Sequence, residues 1–250
     1  DWDPLKDLTA KAYDILSAEF ELPPVKIFLE KTSPVGAGLG GGSSDAAFAL
    51  KMLNELCELG LSDQQLAGYA ARLGSDCPLF IYNRPMIGEG RGEILTEYPL
   101  DLSAYDLQVL TPEGIAVSTK DAYGGIKPHY PEIPLKEVLA RPVEEWDGLL
   151  VNDFEETVFA KYPELAAIKR SLYDCGAVYA SMSGSGSALF GQYNSGKRRN
   201  CYIDVMFVCC VGYIKRAVLG IEVSGVKHFF QCAHIASRVE PYSLLGSRKA

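Results

Sequence analysis

Between residues 34 and 47 the chain reads PVGAGLGGGSSDAA, and no other stretch constrains the fold as tightly. Five of the seven residues from 36 to 42 are glycine. Lacking a Cβ, glycine takes positive φ at little cost and lets main-chain N–H groups come close to an anion. The stretch is bracketed by a strand-like Val25-Lys26-Ile27-Phe28-Leu29 and by a run with Ala46, Ala49, Leu50, Leu53 and Leu56 at helical spacing. A flexible linker would instead sit in polar, low-complexity surroundings. A helix starting at Ser43 or Ser44 would aim its unpaired N–H groups and the positive end of its dipole at one spot. The ligand such an arrangement fits is a nucleotide phosphate. A Cβ at Gly40 is expected to block the approach of the backbone.

Two better-known phosphate loops do not fit. A P-loop ends in Gly-Lys-Ser/Thr, whereas this stretch runs Gly42-Ser43-Ser44 with no lysine. Gly36, Gly38 and Gly41 satisfy G-x-G-x-x-G, but a dinucleotide fold then requires a strand after the helix and an acid about 20 residues on. Here a second helix comes next. Ser62-Asp63-Gln64-Gln65 has capping-box spacing, and Leu66, Tyr69, Ala70 and Leu73 make a stripe ending at Gly74.

Further along, a helix is expected over residues 4–20, stopped by Pro23-Pro24. Gly74-Ser75-Asp76-Cys77-Pro78 leads into the apolar Leu79-Phe80-Ile81, and residues 88–93 read as a tight connection between strands. A strand over 105–110, a helix starting within 117–123 and helices near 152–159 and 163–174 are expected, with 128–142 mostly irregular because of prolines 128, 131, 134 and 142. Residues 177–182 run into a second glycine-rich loop, Ser183-Gly184-Ser185-Gly186-Ser187. No repeat of solenoid length is present.

Composition narrows the class. At 250 residues and 48% hydrophobic content the chain can bury one or two cores. The most apolar run, residues 205–214, is too short to span a bilayer and ends at Lys215-Arg216, and Asp1-Trp2-Asp3 opens no cleavable signal pattern. The net charge of −8 speaks against nucleic acid as a partner. Seven cysteines, none in C-x-x-C pairs or at zinc spacing, fit reduced thiols, with Cys209-Cys210 buried and inert. Residues 197–250 carry nine Lys/Arg against three acids, a net +6 beside −14 for residues 1–196, so a boundary is expected near Gly196.

Taken together, the glycine stretch, Gly74-Ser75-Asp76-Cys77-Pro78 and Ala180-Ser181-Met182-Ser183-Gly184-Ser185-Gly186 resemble the motif set of the GHMP small-molecule kinases, over about residues 4–193. The full run GAGLGGGSSDAA, Asn152-Asp153-Phe154-Glu155 and Ser118-Thr119 favour a member acting on a cytidylylated methylerythritol over homoserine, galactose or mevalonate kinases. The resemblance implies an α+β, two-lobe fold, with an N-lobe like the second domain of a small-subunit ribosomal protein and a ferredoxin-like C-lobe. It places the ATP-binding lobe in residues 1–99, the substrate lobe in 100–196 and an unmatched tail in 197–250.

The resemblance also implies roles for individual residues. Pro34, Val35, Gly36, Ala37, Gly38, Leu39, Gly40, Gly41, Gly42, Ser43 and Ser44 would wrap the ATP phosphates. Asp76 stands where the family keeps the aspartate that accepts the proton of the attacking hydroxyl. Thr119 and Tyr123 align with cytidine contacts, and Ser183, Gly184, Ser185 and Gly186 with a loop closing the site. Mg²⁺ accompanies ATP; Ser44 and Glu89 are candidate contacts, and no protein ligand is fixed. The implied partner is a small molecule, with no nucleic acid or membrane, in a monomer or weak homodimer of the bacterial cytoplasm or plastid stroma.

Two departures from the pattern stand out. The family's Lys-Ile-Asn-Leu and Asp-Gly-Tyr-His motifs, which supply a catalytic lysine and the first strands, have no match in residues 1–33, so the chain is expected to begin partway into the fold. The sheet edge this exposes is one that the second departure, the unmatched tail, would cover. Three readings stay open: an active kinase of this or another GHMP specificity, a remnant that binds ATP without transferring phosphate, and a Rossmann oxidoreductase.

Overall fold

Small residues at the head of one helix decide how the first half of the chain packs. The computed structural model describes residues 3–31, 34–126 and 130–196, together with the backbone of 208–210, 217–223 and 226–232. After a 3₁₀ turn (Pro4–Lys6), helix α1 (Leu8–Ser17) starts at Asp7, whose carboxylate accepts from the Thr9 amide at 3.0 Å. Strand β1 (Val25–Glu30) then feeds the glycine loop, which leads into α2 (Gly41–Leu56). The helix begins two residues before Ser43. Gly40 adopts φ 69°, which reverses the chain and lets Gly41 open the first turn.

The inner side of α2 carries Ala46, Ala47, Ala49, Leu50, Met52 and Leu53, all buried against Ala12 and Leu16 of α1 and Leu66 and Ala70 of α3 (Asp63–Leu73). Each fully buried leucine contributes about 1.5–3 kcal/mol. The capping box at the start of α3 forms as its spacing predicts: Ser62 N donates to Gln65 Oε1 at 3.0 Å and Gln65 N to Ser62 Oγ at 3.4 Å. The apolar run after residue 76 is a short helix, α4 (Cys77–Tyr82), with Pro78 in a first turn that needs no N–H. Its Cys77 and Ile81 complete the same core. A hairpin of β2 (Met86–Glu89) and β3 (Ile94–Glu97) ends this half.

The second half is organised by β4 (Tyr105–Pro112), followed by α5 (Thr119–Gly125) and α6 (Leu135–Leu139). The proline-rich stretch expected to be irregular thus holds one short helix, because Pro134 stands just ahead of its first turn, where a fixed φ helps. Helices α7 (Phe154–Lys161) and α8 (Pro163–Asp174) precede β5 (Tyr179–Met182) and β6 (Leu189–Asn194). Strand β6 lies between β5 and β4, antiparallel to both. Leu165, Ile168 and Leu172 repeat at helical spacing along α8 and bury against Ala180, Met182, Leu189 and Tyr193.

Backbone ladders from beyond residue 196 join both halves. Strand β7 (Val208–Cys210) pairs with β4, while β8 (Ala217–Val223) pairs with β1 and with β9 (Val226–Cys232). The tail thus pairs with one edge of β1, which stands at the end of the sheet β1-β8-β9. The side chains of Cys209 and Cys210 lie outside the described residues. Every ladder among the described residues is antiparallel, which excludes the parallel sheet of a dinucleotide-binding fold. Among the described residues no helix is long and apolar enough to cross a membrane.

Candidate active site

Gly36, Gly38 and Gly40 take φ of 76°, 76° and 69°, so alternate residues of the loop are left-handed and the chain curls. Residues 34–43 form most of the wall of a cavity of about 290 Å³, completed by Leu8, Lys31 and Asp45. The first intrahelical bond of α2 runs from Ser44 N to Gly40 O at 2.9 Å. The amides of Gly41, Gly42 and Ser43 precede it and stand at the positive end of a 16-residue helix. Ser44, counted with the loop on sequence grounds, is fully buried and does not line the cavity. The reason for glycine at 40 also differs from expectation. A Cβ there would lie 2.8 Å from Phe80 Cζ, so the exclusion comes from the α4 ring packed against the loop.

Two charges that the sequence did not bring together, Lys31 and Asp45, line this cavity, and a third, Asp7, lies behind Lys31. Lys31, which comes directly after β1, reaches Asp7 Oδ2 at 2.8 Å and Asp45 Oδ2 at 3.6 Å. Burial pushes both carboxyls up. For Asp45 it prevails over the attraction of Lys31, so its pKa is raised. For Asp7 the Lys31 hydrogen bond and the Thr9 amide and hydroxyl outweigh burial, so its pKa is lowered. The pairs span 24 and 14 positions, out of reach of local pattern; the one signal was a lysine at the end of the strand that feeds the loop.

The second glycine-rich loop packs directly on the first. Ser183 Oγ donates to Gly38 O at 2.8 Å, and Ala188 N donates to Ala37 O at 3.0 Å. A Cβ at Gly38 would run into Ser183 O, so only glycine permits the contact. The loop and the strand before it are held from the other side by Asn152, just before α7, and by Glu155 in its first turn. Asn152 Nδ2 donates to Met182 O and to Gly184 O, each at 2.8 Å, and Glu155 Oε1 accepts from Met182 N at 2.8 Å. Ser187 Oγ donates to Ile115 O at 2.8 Å, which ties the loop to the segment entering α5.

Asp76 is solvent-exposed at the start of α4, where its side chain makes no capping bond. The next residue, Cys77, is buried with its pKa raised by burial, and its thiol shares a hydrogen bond with the Ser43 side chain at the head of α2. That bond holds the start of α4 beside the head of α2, and Gly92 of the β2–β3 turn flanks the Asp76 carboxylate. Thr119 opens α5 and is exposed; the helix cap is its neighbour Ser118, whose Oγ accepts from Asp121 N at 3.3 Å. Tyr123 is 62% exposed and meets Phe154 edge-on, ring centroids 4.9 Å apart, leaving ring surface open to solvent.

This arrangement can bind an anion through main-chain amides, balance its charge with Lys31 and present a carboxylate nearby. Neither Ser44 nor Glu89 lines the cavity, and the described residues hold no cluster of three or more metal-ligating side chains. Asp45 does line it. One carboxylate fits a Mg²⁺ ion that arrives on the phosphates and keeps its waters.

The fold and this loop set define a GHMP kinase. The family's N-terminal domain signature matches residues 7–84 and its C-terminal signature residues 135–201, and the chain belongs to that family. It is 52% identical over 192 residues to the 4-diphosphocytidyl-2-C-methyl-D-erythritol kinase of Bacteroides fragilis, covering 77% of this chain and 70% of the relative. The enzyme of the same name from Bacteroides thetaiotaomicron is 51% identical over 191 residues, 76% and 69% of the two chains. A crystal structure of 4-(cytidine 5'-diphospho)-2C-methyl-D-erythritol kinase superimposes with a TM-score of 0.63 at 32% identity, over 76% of this chain and 70% of that one.

Proposed function

We propose that this chain transfers the γ-phosphoryl group of ATP to the 2-hydroxyl of 4-diphosphocytidyl-2-C-methyl-D-erythritol, a step in isoprenoid precursor synthesis. The observation that carries the reading is the docking of the Ser183 loop on Gly38, just ahead of the N-terminus of α2, where Ser43 in turn meets Cys77, the residue after Asp76. Phosphoryl transfer needs positioning and charge stabilisation more than covalent chemistry, and this site offers both.

In the proposed roles, residues 34–43 hold the ATP phosphates with their amides, and Lys31 offsets charge on the phosphoryl group. Asp76 takes the proton of the attacking hydroxyl. Tyr123 offers its ring face to the cytosine and Thr119 a hydroxyl to the same moiety, while Ser183, Gly184, Ser185 and Gly186 close the site. Mg²⁺, supplied with the nucleotide, neutralises phosphate charge; Asp45 is the residue placed to hold it. Residues 1–99 and 100–196 act as ATP and substrate lobes, with 197–250 as an appended tail. The partners are small molecules and not nucleic acid, self-association is weak at most, and the compartment is a bacterial cytoplasm or plastid stroma.

Coupled detection of ADP release tests the proposal. Turnover with ATP and the cytidylylated acceptor, abolished in Asp76→Ala, is the expected result. Tight ATP binding without turnover would establish the inactive remnant instead, and turnover only with homoserine would move the chain to another GHMP specificity.

A further inference from the structure

We infer that Asn152 is a positioning residue that sets the pose of the Ser183 loop against the glycine loop, and so governs nucleotide affinity and the rate of transfer. The inference rests on the phosphorylation reading above. In the sequence, Asn152-Asp153-Phe154-Glu155 served only to favour one specificity; the geometry gives its first residue a task.

Asn152 uses its whole side-chain amide. Its Nδ2 donates to the carbonyls of Met182 and Gly184, both at 2.8 Å, while its Oδ1 accepts from Phe154 N at 3.0 Å. Only one orientation of the amide satisfies all three, because the reverse would face an oxygen with two carbonyl oxygens. The two carbonyls flank Ser183, the residue whose hydroxyl reaches Gly38 O at 2.8 Å. Asn152 therefore fixes the chain immediately before and after the contact that joins the loops.

The next link points the same way. Phe154, whose amide the Asn152 oxygen holds, packs edge-on to Tyr123. One side chain thus holds the loop that meets the phosphate cradle and the backbone under the proposed base platform. Glu155 seats the preceding strand separately, accepting from Ser181 Oγ at 3.1 Å and Met182 N at 2.8 Å and pairing with Lys169. It fixes β5, while Asn152 holds the carbonyls on either side of Ser183. A misplacement of about 1 Å in such a frame can cost 10²-fold in rate.

Asn152→Asp keeps the shape and the Phe154 bond but turns two donors into acceptors facing carbonyls. The test compares it with Leu165→Ala, a truncation in the α8 core that touches neither loop. For Asn152→Asp we expect kcat lower by about 10²-fold and the Kd for ADP weaker by about tenfold. Leu165→Ala should lower Tm at least as far while leaving both constants within twofold. Ser183→Ala, which deletes only the bond to Gly38 O, should shift both constants in the same direction by a smaller factor. The inference is overturned if Asn152→Asp loses Tm alone, or if it does not fold and Ser183→Ala leaves both constants unchanged. Absence of turnover in the wild type would sink the phosphorylation reading, and the ADP affinities would still decide the role of Asn152.

Discussion

The two glycine-rich loops share composition and differ in almost everything else. In residues 34–43 the glycines open the backbone toward a cavity, and the chain runs on into a long helix whose first amides are uncommitted within it. In residues 183–187 the loop is tied on three sides, its Gly184 carbonyl to Asn152 and its Ser183 and Ser187 hydroxyls to Gly38 and Ile115, and the chain runs on into a strand. In the proposed reading the first loop receives the phosphates, while the second packs against the first. Glycine content says only that a backbone comes close to something. The element into which a loop leads, and the groups already touching it, decide whether that something is a ligand or the protein itself.

Gly38 is where the loops meet, so it gives the largest expected effect. Gly38→Val forces a β-branched residue to φ 76° and drives its Cβ into Ser183 O; turnover should vanish and Tm should fall. Gly36 has the same φ with nothing within 4 Å of a Cβ, so Gly36→Ala should cost only about 1–2 kcal/mol of stability and keep turnover. Equal damage at both positions would mean that loop-to-loop contact is irrelevant. Next in size, Asp76→Asn should lower kcat by about 10²–10⁴-fold without moving Tm, because the side chain is exposed and caps nothing. Lys31→Met should weaken ADP binding by about tenfold, read by calorimetry.

The smallest effects separate the two carboxylates on Lys31. Asp7 has a lowered pKa, so its contribution is present above its ordinary value of 3.8 and is lost as pH falls through the lower folded value. Asp7→Asn should therefore reduce Tm at neutral pH. Asp45 has a raised pKa, so the folded protein binds that proton more readily and stability falls as pH rises from 3.8 through the raised value. Asp45→Asn should raise Tm at neutral pH and erase that part of the slope. Melting curves of both variants between about pH 3 and 7 check the opposite signs.

Local patterns carried much of this into the sequence. The strand before the glycines, the Ser62/Gln65 capping box and the helix over 163–174 depend on neighbours within a few residues and formed where expected. The start of α2 did not, because glycine is a poor helix former and only the left-handed turn at Gly40 shows why Gly41 can begin one. Lys31 was not legible as a site residue, because it owes its place to Asp7 and Asp45, which chain folding alone brings to it. Asn152 was visible as a motif but not as a clamp, since its two carbonyls lie 30 and 32 residues away.

The central claim is that main-chain amides at the head of α2 grip phosphate. Titrating ¹⁵N-labelled protein with a non-hydrolysable ATP analogue and Mg²⁺ reads those amides one by one. The account predicts saturable downfield shifts of the Gly41, Gly42 and Ser43 N–H signals, with smaller changes at Gly184. If the analogue binds while those three signals stay still and the shifts gather elsewhere, the glycine loop is not the phosphate site.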